Sequence, residues 1–111
     1  MSKRVESVYL NDMLAYGRRV LERLGSATRE EFERDLNLRE SVVFNLIVIG
    51  EAVSKVSPET AAHPEIAWAE ISDMRNRLVH GYFDIDVGKV WKAATEHIPE
   101  LIPALERILP R

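Results

Sequence analysis

The sequence predicts an all-α protein, a small antiparallel helical bundle. Glycine and proline are sparse, five of each in 111 residues, so the stretches between them are long enough for helices. Apolar residues in those stretches recur at spacings of three and four, the helical period, rather than two. The one run rich in β-branched residues, Val42 to Ile49, has no second strand-like segment to pair with and no turn signal around it.

The first helix is expected over Val5 to Leu24, with Leu10, Leu14, Gly17, Leu21 and Leu24 forming one inward stripe. Gly17 costs such a helix about 1 kcal/mol against alanine, so it marks a candidate close approach to another helix. Gly25 and Ser26 end the element. Thr28-Arg29-Glu30-Glu31 fits a capping box and opens a short second helix, with Phe32 and Leu36 one turn apart behind it. Asn37, with Glu40 three residues later, is a candidate cap for a third helix running through Val56. That helix is apolar on nearly every side, which places it at the centre of the bundle, and Glu51 and Lys55 form an expected i,i+4 pair on it.

Ser57-Pro58-Glu59 reads as a cap followed by proline at the first helical position, opening a short turn that ends at His63-Pro64. The next long helix is expected over Ile66 to His80, with Ile71, Met74 and Leu78 facing inward and Gly81 as its terminator. Asp84 or Asp86 caps the last helix. There Val87, Trp91, Ala94, Ile98, Leu101, Leu105 and Ile108 form a seam at spacings of four and three. Pro99 and Pro103 each lack a backbone donor, so a kink or a break and restart is expected near Pro99.

At 111 residues the chain fits one domain, expected to span 1–111. Fifteen Lys and Arg against eighteen Asp and Glu give a net charge of −3, which argues against bulk coating of nucleic acid and leaves any such contact to a local patch. Cysteine is absent, which excludes a disulfide scaffold, thiolate-held metal and a thiol nucleophile. The opening Met1-Ser2-Lys3-Arg4-Val5-Glu6 turns polar too early for a signal peptide, and no apolar run approaches the ~20 residues of a membrane span, so a cytoplasmic location with no membrane partner is expected. The three histidines lack the spacing of a metal site, and no glycine-rich phosphate loop or serine elbow is present. His63, His97 and the Arg18-Arg19 pair with Arg23 read most simply as structural or solvated residues.

One stretch concentrates chemistry: Asp73-Met74-Arg75-Asn76-Arg77-Leu78-Val79-His80-Gly81-Tyr82-Phe83. The planar fork of Arg75 suits phosphate oxygens, and Arg77 is a second arginine in the same stretch. His80 moves protons near neutral pH, and the negative end of its helix favours the imidazolium. Asn76 fixes a water or a phosphate oxygen, and Tyr82 offers a hydroxyl for bonding or modification. Five residues along a helix, however, put Arg75 and His80 roughly 140° apart. They converge only if the helix unwinds at Gly81 or a second subunit completes the site. A helix end whose histidine caps its own carbonyls is the simpler reading of the spacing.

Arg75-x4-His80-x-Tyr82, set in Met-Arg-Asn-Arg-Leu-Val-His-Gly-Tyr-Phe, resembles the signature of the HEPN superfamily, specifically its HepT-like toxin branch. Asn45-Leu46-Ile47-Val48-Ile49-Gly50-Glu51-Ala52 resembles the central helix of that branch, and His63-Pro64-Glu65-Ile66-Ala67-Trp68 its lead-in to the motif helix. The family pattern commonly has proline where this chain has Ala67. The resemblance covers about Val5 to Ile108. It implies a HEPN-like four-helix core with short extra helices. It also implies the toxin of a type II toxin–antitoxin pair, a metal-independent and cofactor-free endoribonuclease active as a homodimer. Arg75 and His80 become the catalytic pair and Asn76 their support, at a site shared across the dimer. Attack by the RNA's own 2′-hydroxyl excludes DNA as substrate. The implied antitoxin is an MNT-type nucleotidyltransferase that attaches AMP to the motif tyrosine, here Tyr82, and blocks the RNA backbone by charge and bulk. The alternatives are a non-catalytic HEPN module that binds a nucleotide or a protein, and a purely structural dimerisation bundle.

Overall fold

The first helix, α1, spans Lys3–Leu24 and stops where Gly25 takes a left-handed conformation, φ +51°, that a side chain would oppose. The computed structural model describes residues 3–109, and of these all side chains except those of Lys3, Arg4 and Tyr82. The buried stripe of α1 is Leu10, Met13, Leu14, Gly17, Val20 and Leu24. Leu21, expected inward, is exposed. Spacings of three and four fit more than one stripe here, and Met13 and Val20 fill the one that faces the core.

The Thr28 capping box forms as expected, with the Glu31 N–H donating to Thr28 Oγ1 at 3.2 Å and the Thr28 N–H to Glu31 Oε1 at 3.1 Å. It opens α2, Arg29–Arg34, which buries Phe32 against Trp91 with ring centroids 5.4 Å apart. Leu36 does not join that contact. It opens α3, Leu36–Val53, and is exposed. The cap of α3 is Asp35 rather than Asn37, its Oδ1 accepting the Leu38 N–H at 3.0 Å. A carboxylate at the break between two helices reaches the free N–H groups of the second, whereas Asn37 already lies inside the first turn.

Helix α3 ends at Val53, short of the expected Val56, and Lys55 falls outside it. It packs against α1 on one side and α5 on the other, burying Val42, Leu46, Ile49 and Val53. One side remains uncovered: Phe44 is exposed although its ring lies 6.5 Å from that of Tyr16. The short α4, Pro58–Ala61, is capped by Ser57 and tied to the start of α1 by Glu6. The Glu6 carboxylate accepts from the Ser57 N–H at 2.9 Å, from Ser57 Oγ at 3.2 Å and from the Thr60 hydroxyl. That tie sets the end of α3 beside the beginning of α1, so the two helices run antiparallel.

Helix α5 covers Trp68–His80, two residues shorter at its start than expected because Ile66 and Ala67 form the turn that enters it. Ile71 and Leu78 are buried and Met74 is partly so. Gly81 ends it, its N–H on the Arg77 carbonyl at 2.9 Å, and a 3₁₀ turn follows at Tyr82–Asp84. Asp86 then caps α6, Val87–Lys92, by accepting the Lys89 N–H at 3.1 Å. The expected break near Pro99 takes the form of a π-helical turn, Ala93–His97, running directly into α7, Ile98–Ile108. A widened turn leaves room for a proline ring that would strike a carbonyl of the preceding turn. The seam survives it: Ala94, Ile98, Leu101 and Leu105 are buried, with Val87, Trp91 and Ile108 at its margins. Among the described residues no helix is long and apolar enough to cross a membrane.

Candidate functional site

The motif residues lie on the last two turns of α5 and in the turn after it, and the packing of α5 on α3 decides where each one points. The crossing is close because Gly50 has no side chain. A Cβ built there would fall 2.1 Å from Arg75 Cβ and 2.6 Å from Cγ, well inside van der Waals contact. The aliphatic stem of Arg75 therefore lies in a notch in α3. Its guanidinium reaches the next residue of that helix. Arg75 Nε donates to Glu51 Oε1 at 3.0 Å, and Nη2 donates to the same oxygen. Nη1 donates to Asn76 Oδ1 at 2.8 Å. Arg75 is thus held at its stem by shape and at its head by three hydrogen bonds, while its side chain keeps 27% exposure and that of Glu51 49%.

This pairing replaces the expected Glu51–Lys55 pair. The arginine arrives across the helix interface with a planar fork, whereas Lys55 has left the helix on which i,i+4 geometry depends. Asn76 accepts from Arg75 through its side-chain oxygen.

His80 sits elsewhere. Exposed in the final residue of α5, it lines a groove of about 460 Å³ between that helix end, the turn after it and α6. Asn76, Arg77, Asp84, Asp86 and Lys89 line the same groove, so its walls carry both signs of charge. Arg75 is not among the lining residues. The helix stays regular to His80 and unwinds only at Gly81, after the histidine, so unwinding does not bring the pair together within one chain. Asn76 touches both halves, bonding Arg75 and lining the His80 groove. The Tyr82 side chain lies outside the described residues, and its backbone begins the 3₁₀ turn. The other candidates behave as structural or surface residues. His63 pairs through Nδ1 with Glu65 at 3.1 Å, Arg18 pairs with Glu106 at 3.1 Å, and Arg19 lies over the Tyr16 ring at 4.4 Å.

A second groove, about 510 Å³ and mainly apolar, opens on the other side of the motif turn between α2, α3 and α6. Leu36, Phe44 and Phe83 are its exposed apolar members, with Phe83 at 89% exposure next to Tyr82 in the chain. Arg75 lies beside Gly50 near the end of α3, and Phe83, in the turn after α5, shares a groove with Phe44 nearer its start, so α5 runs antiparallel to α3.

Sequence reasoning missed Gly50 and Glu51 as site residues, and Asp84, Asp86 and Lys89 as groove lining. The signal for the first two was a glycine inside an otherwise bulky run, followed at once by an acid. A glycine there is costly in a helix unless another chain segment needs the space.

Comparison with known proteins follows the same residues. The family model described as Ribonuclease HepT-like matches residues 13–108. A protein of Methanocaldococcus jannaschii bearing the name "Putative RNase" is 34% identical over 110 residues, 98% of this chain and 95% of the relative. One of Thermococcus cleftensis, named "Probable ribonuclease HepT", is 34% identical over 107 residues, 96% of this chain and 97% of the relative. Another "Putative RNase", from Caldanaerobacter subterraneus subsp. tengcongensis, is 33% identical over 93% of both chains. No solved structure matches. With a family model spanning the motif and most of the bundle, and relatives above 30% identity along nearly the whole chain, this protein belongs to the Ribonuclease HepT-like family.

Proposed function

We propose that this chain is the toxin of a type II toxin–antitoxin pair, an endoribonuclease that works in the cytoplasm without metal and uses Arg75 and His80. The observation that carries the reading is the restraint on Arg75. A guanidinium held by Glu51 and Asn76, yet still partly exposed, is a preformed cradle for a phosphate oxygen, on the same helix as an exposed histidine that opens on a different surface. The family relation supplies the substrate class, since its similar members carry ribonuclease names.

In the reaction the 2′-oxygen of RNA bonds to the adjacent phosphorus and the bond from phosphorus to the 5′-oxygen breaks. The products are a 2′,3′-cyclic phosphate and a 5′-hydroxyl end, and overall one proton passes from the 2′-oxygen to the 5′-oxygen. His80 serves that transfer, Arg75 stabilises the charge on the phosphoryl oxygens, and Asn76 holds Arg75. Arg77 adds local positive charge for the strand. DNA lacks the attacking hydroxyl and is not a substrate.

The chain acts as a homodimer, which supplies the convergence that one chain lacks: Arg75 of one protomer meets His80 of its partner across a two-fold axis. The exposed apolar groove beside the motif supports an association of this kind. Inactivation comes from an MNT-type nucleotidyltransferase that transfers AMP to the Tyr82 hydroxyl, placing a phosphate where the RNA backbone would lie.

The test is RNA cleavage by the purified protein in chelator, with His80→Ala in parallel and the intact mass of the parent checked for added AMP. Cleavage by the parent and none by the variant is expected. An unmodified parent that cleaves nothing would overturn the ribonuclease reading in favour of a binding module, and cleavage lost only in chelator would overturn metal independence. Tyr82→Phe should still cleave and should resist the partner enzyme. A dead Tyr82→Phe would make Tyr82 catalytic.

A further inference from the structure

We propose that Glu51 is a positioning residue for the cleavage reaction, acting through Arg75, with Gly50 providing the notch that lets it do so; this rests on the ribonuclease reading above. Arginine carries five N–H donors. Glu51 takes Nε–H and one on Nη2, and Asn76 takes one on Nη1. One N–H on each terminal nitrogen therefore remains for a phosphate. An arginine loose in solvent would have to lose its rotamer freedom each time substrate bound. Here that cost is met during folding, because the stem lies in the Gly50 notch and the head is bonded on two sides.

The carboxylate has a second consequence. It stands on one edge of the guanidinium and cancels part of its charge, so ground-state attraction for any phosphate is weakened while orientation is kept. A group that aligns the arginine without tightening substrate binding acts on kcat more than on KM. The position is exposed enough that the fold does not depend on it: the Glu51 side chain is 49% exposed, and the buried members of α3 lie on its other faces.

The experiment is steady-state cleavage of one RNA by the parent, Glu51→Ala and Glu51→Gln, with the ¹⁵N-edited NMR signal of the Arg75 Nε–H recorded on each. Removing the acceptor should free the guanidinium. Glu51→Ala should lose about 10²-fold in kcat, the scale of an ångström's misplacement at a reacting centre. Its KM should stay within about threefold, and its Arg75 signal should move to that of a solvent-exposed arginine. Glu51→Gln keeps an oxygen that accepts the same N–H bonds and removes the opposing charge. It should recover most of the kcat with a lower KM. A kcat for Glu51→Ala equal to that of a cleaving parent would overturn the proposal, as would a Glu51→Gln variant as slow as Glu51→Ala. A parent that itself cleaves nothing would overturn the ribonuclease reading, and this proposal with it.

Discussion

Adding one methyl group to each of two helix-interior glycines should give opposite results, and the distances say which is which. At Gly17 a Cβ would meet Ile102 Cγ1 at 3.5 Å and Ile98 Cγ2 at 3.6 Å, ordinary contact distances. Gly17→Ala therefore gains the helix preference of alanine over glycine, about 1 kcal/mol, at little steric cost. At Gly50 the methyl would fall 2.1 Å from Arg75 Cβ. Because the obstructing atoms lie next to the α5 backbone, α3 and α5 must separate by roughly an ångström, which overpacking studies put near the upper end of ~1–3 kcal/mol. Less the same propensity gain of about 1 kcal/mol, Gly50→Ala should be destabilised by ~2 kcal/mol. At roughly 4 °C per kcal/mol for a chain of this size, Tm should rise ~4 °C for Gly17→Ala and fall ~8 °C for Gly50→Ala. Thermal unfolding followed by far-ultraviolet circular dichroism, at one protein concentration, reads both. A Gly50→Ala protein as stable as Gly17→Ala would refute the notch and, with it, the account of how Arg75 is held.

Ile49→Ala empties a fully buried position at the centre of α3 and should cost ~2–5 kcal/mol in urea unfolding. Asp35→Ala should cost about 1 kcal/mol as a lost helix cap, whereas Asn37→Ala should stay within ~0.5 kcal/mol; the reverse order would restore Asn37 as the cap. The Glu6 carboxyl is held below its ordinary value of 4.5, chiefly by the Thr60 hydroxyl and further by Ser57. Folding therefore favours its charged form. That stabilisation is complete above pH about 4.5 and is lost as pH falls through the lowered value. Glu6→Gln should flatten the acid limb of the stability curve, and an unchanged acid limb would remove Glu6 as a link between α1 and α4.

Much of the fold was legible because helices announce themselves locally. The Thr28 capping box, the proline-led turn at Pro58, the terminator Gly81 and the cap Asp86 each depend on residues within a few positions of one another. The errors concern helix ends and helix faces, both of which depend on neighbours outside the segment. Lys55 and Leu36 were placed by continuing a helix past its true end, at Val53 for α3 and Arg34 for α2, whereas Leu21 was placed by spacing alone on a helix that offers more than one stripe. Only its neighbours decide which: Met13 and Val20 displaced Leu21 on α1, and α3 kept an exposed side around Phe44 that its composition did not foretell. The motif spacing put Arg75 and His80 about 140° apart on one helix, and in the structure Arg75 lies against α3 while His80 lines a groove that Arg75 does not.

The sequence by itself determined the helical class and most helix ends, because propensity and capping are carried by short stretches of chain. It also carried the family relation, since the motif and its flanks are contiguous. Only the tertiary structure decided that Arg75 faces α3, that Gly50 makes room for it and that Glu51, 24 residues away in the chain, takes its guanidinium. It also decided that His80 opens on a different surface, into a groove shared with α6. These outcomes depend on how closely and at what rotation two helices pack. That is set by the fit of all the side chains between them, and no local pattern encodes it.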